Sequence, residues 1–301
     1  MKAAVVGSLN MDLVVGVTDL PQEGETLFGH ELSEVPGGKG ANQAAAIGKL
    51  GIPVSMVGKV GQDTNGSCLI KSLRSAGVDT ASVMHSLRPT GTALITVDQA
   101  GRNHIVVIAG ANANLTPDDI ERQLNVIELA DVVVLQLEVP LETVAHTLEL
   151  AKSMGKTTIL NPAPARKLNA EILRHVDFLI PNEHELQAIT GIQQLDETGI
   201  REAAKSFAEQ GVGNLIVTLG DKGCVHSDGN AVTFYEAYRV KAADTTAAGD
   251  SFIGGFVAGY SEGDVGEAIR FAMKTAAITV TRHGAQSSLP TRDEVLSFAN
   301  S

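Results

Sequence analysis

Between residues 54 and 219 short apolar runs alternate with segments of helical character, and this alternation restricts the fold more than any other feature of the chain. Apolar runs begin at Val54 and recur at Val132–Leu137, Thr157–Leu160, Phe178–Ile180 and Leu215–Leu219; a further one, Ala3–Gly7, opens the chain. Between them, helices are expected over Asp63–Ala76, closed by Gly77, from Thr116-Pro117 onward, over Leu141–Met154 and over Glu197–Gln210. Continuous apolar strands separated by helices imply an α/β fold whose mainly parallel sheet is covered on both faces. The chain's 301 residues suffice for one large domain or two smaller ones.

Two stretches, 13–36 and 88–109, interrupt the alternation. Leu13–Val17 and Thr26–His30 flank the turn Pro21-Gln-Glu-Gly24, and Thr92–Val97 and His104–Ile108 flank Asp98-Gln-Ala-Gly101. Together they are expected to form a small antiparallel flap. Between them, Pro36-Gly-Gly-Lys-Gly-Ala-Asn-Gln43 starts as a glycine loop and becomes a helix that stops near Gly51. Gly37 and Gly38 admit a ligand close to the backbone, Lys39 adds a cation, and Asn42 follows one helical turn after Gly38.

Ala243-Asp-Thr-Thr-Ala-Ala-Gly-Asp-Ser-Phe252 carries the chemistry. A turn of small residues that opens into a helix leaves the first amides unpaired at the positive end of the helix dipole, which attracts anions and phosphate in particular. Ala247, Ala248 and Gly249 would form the cradle, and Asp250 places a carboxylate beside it. A cradle next to a base suits phosphoryl transfer to an alcohol. A plain helix N-cap is the other reading of Asp250.

Polar residues also stand at the ends of apolar runs, where open α/β sheets bind ligands. Asn10 and Asp12 follow the first run, either as turn formers or as ligands. Glu138 follows the run at 132–137, and Asn182-Glu-His-Glu185 follows that at 178–180; the latter is also an ordinary helix start. Thr218-Leu-Gly-Asp-Lys-Gly223 is a glycine turn. The one Gly-Lys-Thr, at 155–157, runs from helix into strand with Leu150 where a phosphate loop needs glycine, so Gly155 is read as a helix terminator. No GxGxxG is present.

A formal charge of −12 and the absence of a basic run argue against nucleic-acid partners, and no apolar run approaches the ~18 residues of a membrane span. The first segment is broken by Asp12 before a signal-peptide core could form, so the expected location is cytoplasmic. Cys68 and Cys224 lack metal or disulfide spacing and are expected to be buried thiols.

The Asp244–Asp250 stretch closely resembles the C-terminal signature of the ribokinase family, within the phosphofructokinase B-like sugar kinases, and Gly37–Gln43 resembles that family's sugar-binding loop. The resemblance runs from Asn10 to Ser288 in the family's order. It implies one three-layer α/β sandwich over residues 1–301, with 13–36 and 88–109 as a β lid that also pairs two subunits into a homodimer.

It further implies transfer of the γ-phosphoryl of MgATP to the 5-hydroxyl of D-ribose, with Asp250 as base. Sugar ligands would be Asn10, Asp12, Gly38, Lys39, Asn42 and Glu138. Nucleotide contacts would fall at Asn182, Thr218, Gly220, Asp221, Lys222, Gly223, Gly249 and Met273, although the family's polar residue is absent at Met273. Glu185 would organise Mg²⁺ through water, and Asp244, Thr246, Thr279, Arg282, Gly284 and Ser288 would surround K⁺. A kinase for 2-deoxyribose, a nucleoside or another sugar, and a sugar sensor without activity, are the alternatives.

Overall fold

The computed structural model describes residues 1–192, 196–260 and 263–298. Its strands are β1 Ala3–Val6, β2 Asn10–Gly16, β3 Glu31–Gly37, β4 Val54–Gly61, β5 Val78–Asp79, β6 Val83–Ser86, β7 Gly91–Val97, β8 Asn103–Ile108, β9 Val132–Leu135, β10 Thr157–Leu160, β11 Phe178–Leu179, β12 Asn214–Thr218, β13 Cys224–Ser227 and β14 Val232–Tyr235. The α-helices are α1 Lys39–Lys49, α2 Thr64–Ser75, α3 Pro117–Arg122, α4 Leu124–Leu129, α5 Leu141–Ser153, α6 Ala170–Leu173, α7 Glu183–Thr190, α8 Glu197–Glu209, α9 Ala248–Tyr260, α10 Val265–Thr279 and α11 Arg292–Ser297.

The main sheet runs β14-β13-β12-β11-β10-β9-β1-β4-β5, with β6 also paired to β4. Every pairing from β12 to β5 is parallel, and β13 and β14 add an antiparallel edge. Successive strand residues face opposite layers, as the period of two requires. Ala3, Val5, Val132 and Val134 pack with α1, α9 and α10. Their neighbours Ala4, Val6, Val133 and Leu135 pack with α5 and α8. The chain leaves β1 for β4 on one side and later returns to β9 on the other, which makes the β1/β9 boundary the place where strand order reverses. Crevices at the carboxyl ends of such strands are where open α/β sheets bind ligands.

Small residues set how deeply α9 sits. It is wedged between α1 and α10. A Cβ at Gly255 would lie 2.7 Å from Thr275 Oγ1 and 2.8 Å from the Ala272 backbone, and one at Gly259 would lie 2.7 Å from Ala268 Cα. The small-residue face of α10 is therefore a seat for α9.

Sequence expectation and structure differ in a few places. The second sheet, β3-β2-β7-β8, is mixed rather than antiparallel, because β2 and β7 pair in parallel. The strand expected over Thr26–His30 lies instead at Glu31–Gly37 and leads directly into the glycine loop. Helix formation after Thr116 begins with the expected cap and proline but divides into α3 and α4 at Gln123. Cys224 is buried as expected, whereas Cys68 is exposed. Among the described residues no helix is long and apolar enough to cross a membrane.

Candidate active site

α9 begins at Ala248, so Asp250 lies within its first turn and is not its N-cap. Its side chain is buried and held from α1: Asn42 Nδ2 donates to Oδ2 at 3.0 Å, and Gln43 Nε2 donates to Oδ1 at 3.0 Å. Burial raises its pKa; the Lys39 ammonium and the two amides oppose that, and Glu138 adds to it. The result is a carboxylate more basic than an ordinary Asp.

Ala247 has φ 59°, a left-handed conformation that a residue with a Cβ adopts at a cost of about 1–3 kcal/mol. Such strain concentrates at functional sites. The Ala248 amide bonds back to the Thr245 carbonyl at 3.2 Å, so one of the three expected cradle amides already has an intramolecular partner. A Cβ at Gly249 would meet nothing within 4 Å, which leaves this face open.

A cleft of about 190 Å³ lies over this turn, lined by Lys39, Asn161, Asn182, Glu185, Thr218, Thr245 and Ala247–Asp250 among others. Asn182 and Thr218 come together through a parallel bridge between the chain after β11 and the end of β12. Asn182 and Glu185 form the capping box of α7: Asn182 Oδ1 takes the Glu185 amide at 2.8 Å, and Glu185 Oε2 takes the Asn182 amide at 2.9 Å. The structure thus contains the helix start, and both residues also face the cleft. Gly220, Asp221, Lys222 and Gly223 form a turn outside it. Gly223, at φ 102°, is required because a Cβ there would run into the Tyr235 carbonyl. Met273 is buried, with Sδ 3.7 Å from Cys224 Sγ, and does not line the cleft.

On the far side of Asp250 lie the residues expected to meet sugar. Ser8 Oγ and the Lys39 amide both donate to Glu138 Oε2, across the β1/β9 boundary. Asp12 abuts Gly37 so closely that no side chain fits there. Burial first, then the charges of Glu138 and Asp250, push the Asp12 pKa up to about 7. The Lys39 pKa is raised as well: burial disfavours its charge, but Asp250, Glu138 and Glu185 outweigh burial. Gly38 has φ 90°, and a Cβ on it would strike the Asn10 amide at 2.6 Å. Asn42 Oδ1 is buried without a partner, an acceptor positioned for a hydroxyl donor.

Four residues of this site were not singled out from sequence. Asn112 clasps the Leu9 backbone at 3.0 and 3.1 Å and donates to Asn10 Oδ1 at 2.7 Å, which orients the Asn10 amide. Gln43, Gln136 and Asn161 form an amide cluster beneath Asp250. Asn161 could have been found as another polar residue at a strand's carboxyl end.

The loop after α10 meets the turn before α9. Asp244 Oδ1 accepts from Thr246 N and Oγ1, while Oδ2 accepts from the Gly284 amide at 2.9 Å. Burial opposes the charge of Asp244, but these bonds outweigh it and keep the pKa low. The side chains of Arg282, Thr279 and Ser288 are committed elsewhere, to Glu294 and to the carbonyls of Thr275 and Ala285. The Arg282 guanidinium is no cation ligand, whereas the Thr279 and Ser288 hydroxyls donate to carbonyls and keep oxygen lone pairs that, with backbone carbonyls, could meet an ion.

Residues 1–292 match the family model described as pfkB family carbohydrate kinase. The chain belongs to that family. It is similar to the ribokinase of Staphylococcus aureus strain COL, 39% identical over 298 residues that cover 98% of each chain. It is equally similar to the deoxyribokinase of Salmonella typhi, 41% identical over 297 residues, 98% of this chain and 97% of the other. Its backbone superposes on the Arabidopsis thaliana ribokinase solved with ribose and ATP at a TM-score of 0.93, 33% identity and 99% coverage of both chains. As a member of a carbohydrate kinase family, the chain is an enzyme that transfers phosphoryl groups to sugars.

Proposed function

We propose that this kinase phosphorylates the 5-hydroxyl of D-ribose with MgATP, as one α/β domain whose β2-β3 and β7-β8 strands act as a lid. The observation that carries the reading is the position of Asp250, a buried carboxylate of raised basicity between the cleft and the cage of Asn10, Asp12, Gly38, Lys39, Asn42 and Glu138. Asp250 takes the proton of the 5-hydroxyl as its oxygen attacks the γ-phosphorus, the bond from that phosphorus to the β–γ bridging oxygen breaks, and ADP leaves with that oxygen. Ala247 and Gly249, joined by Ala248 once its amide turns from the Thr245 carbonyl to the phosphate, stabilise the charge that develops on the transferred group, with Lys39 at the same rim.

Nucleotide would lie over Asn182 and Thr218 toward the Gly220–Gly223 turn. Among the described residues no three His, Cys, Asp or Glu side chains cluster as a metal cage. That suits Mg²⁺, which keeps several waters and binds through phosphates with one or two carboxylates; here Glu185 would hold it. An ion held there would neutralise phosphate charge. The Asp244–Thr246 turn and the 279–288 loop would hold K⁺ and thereby fix the anion cradle.

A homodimer through the lid is supported by apolar exposure, since Leu32, Leu94 and Ile105–Ile108 stand open to solvent on the small sheet. The consumption of MgATP fits an enzyme of the cytoplasm.

The similarity to a deoxyribokinase supports a second reading, 2-deoxyribose as the substrate. A sugar panel with MgATP decides between them. Ribose should exceed 2-deoxyribose in kcat/KM by about ten- to hundredfold, since a missing 2-hydroxyl leaves a buried polar partner unsatisfied at ~1–3 kcal/mol. The reverse order would establish the second reading. Asp250→Asn should lower turnover by ~10²–10⁴-fold with nucleotide binding intact, and near-wild-type turnover would remove Asp250 as the base.

A further inference from the structure

Three buried amides lie in series beneath Asp250. Gln136, at the carboxyl end of β9, donates from Nε2 to Gln43 Oε1 at 2.6 Å. Gln43, on α1, donates from Nε2 to Asp250 Oδ1 at 3.0 Å and shares that amide with Asn161 Oδ1 at 3.3 Å. Asn161 in turn donates to the Ile180 carbonyl at 2.9 Å. Gln43 and Gln136 are both fully buried, so water does not substitute for either partner.

With Asp250 ionised, the direction of the series is fixed. An ionised carboxylate only accepts, so Gln43 must present its NH₂ to Asp250 and its carbonyl to Gln136. Gln136 must then present its own NH₂ to Gln43. The remaining Gln136 carbonyl has no partner, a cost the fold accepts in order to keep the donors pointing at Asp250. A protonated Asp250 would gain less from this arrangement: its carbonyl oxygen could still accept from Gln43, but a neutral acceptor makes a weaker hydrogen bond than a charged one, and Gln43 offers Oδ1 no acceptor for a proton.

We propose that Gln43, held by Gln136, is a positioning residue for the base: it locks the Asp250 rotamer and favours its ionised form, leaving the Asn42 side of the carboxylate toward the sugar hydroxyl. This inference rests on Asp250 being the base, and it adds the device that keeps that base charged despite burial.

The test is the pH dependence of kcat for wild type, Gln43→Leu and Gln136→Met, with saturating ribose and MgATP and with thermal midpoints measured on the same samples. Lys39 on α1, Glu138 after β9 and Asp12 on β2 also act on this site and are unchanged in both variants, so a displacement of the acidic limb relative to wild type reports the Gln43 donor; its loss weakens the ionised form, and the limb should move up by about one pH unit. Activity should partly recover at high pH. Gln136→Met leaves Gln43 free to turn over, and its limb should move the same way by less. If Gln43→Leu lowers kcat equally at every pH, or leaves the limb in place, Gln43 is merely packing and the proposal is overturned. Because the variants are compared with an active wild type, that failure is distinct from a failure of the functional reading, which would appear as a wild type inactive on every sugar. Should Gln43→Leu fail to fold, the limb of Gln136→Met alone decides.

Discussion

Replacing Asp12 by Asn should stabilise the protein at neutral pH while impairing sugar binding. The Asp12 carboxyl stands near Glu138 and Asp250, and its pKa is near 7 where an ordinary Asp has 3.8. The folded state therefore binds this proton more tightly than the unfolded chain. Below pH 3.8 both states hold it and nothing is lost; as pH rises toward 7 the folded state loses stability relative to the unfolded one, and above 7 the full cost is present. At ~1.4 kcal/mol per pH unit the ceiling is about 4 kcal/mol, and partial solvent access brings a realistic figure nearer 2. Asn keeps the shape without the charge. Its thermal midpoint should exceed wild type by about 4 °C at pH 8 and match it near pH 4. Comparing the two proteins at each pH cancels the titration of groups distant from Asp12 and leaves Asp12 with its coupled neighbours Glu138 and Asp250. KM for the sugar should rise by about tenfold or more, because an acceptor of sugar hydroxyls is lost. An equal difference in midpoint at both pH values, or a variant less stable at pH 8, would refute the electrostatic account.

Three other outcomes follow. Exchanging K⁺ for Na⁺ or Li⁺ at matched ionic strength should slow turnover without lowering the thermal midpoint, and equal rates in all three salts would remove the ion from the 279–288 loop. Amide exchange over 13–36 and 88–109 should slow when ribose saturates the enzyme, and unchanged exchange would remove the lid. Gly91→Ala should raise the sugar KM more than it lowers kcat, because the new methyl would collide with the side chains of Asn10 and Asn112; unaltered kinetics would show that their contact does not set the sugar site.

Most of the main sheet was legible because buried parallel strands are written as continuous apolar runs, as at Val132–Leu135 and Thr157–Leu160. The expected strand end at Leu137 overshot by two, since Gln136 leaves the ladder to join the amide series. Strands β5, β6 and β14 have two to four residues each and lack a sustained pattern. The parallel pairing of β2 with β7 was not legible at all, because alternation within a strand says nothing about the direction of its partner. Asp250, Lys39 and Glu138 were readable from their motifs and strand ends. Gln43 looked like helix filler within an alanine run, and Asn112 lies 102 residues from the Asn10 side chain it orients, so neither carried a local signal.

The arrangement of the site follows from strand order. Ser8 and Glu138 follow β1 and β9, the pair at which the order reverses, and their hydrogen bond ties the two strand ends together beside the residues proposed to meet sugar. Asn182 and Thr218 end β11 and β12, farther along the same edge, and face the cleft proposed for nucleotide. Between the two positions lies β10, whose terminal Asn161 supports Gln43. The N-terminus of α9 lines the same cleft as Asn161, and the helix is wedged in place by its glycine contacts with α1 and α10. In the proposed reaction, with donor and acceptor sites divided in this way, Asp250 is the carboxylate placed to serve both. A bulkier residue at Gly255 would displace α9 from α10 and move the base relative to two sites anchored in the sheet. Near-attack geometry tolerates little such movement, so the small residues of α9 are as much a part of the proposed chemistry as the carboxylate they seat.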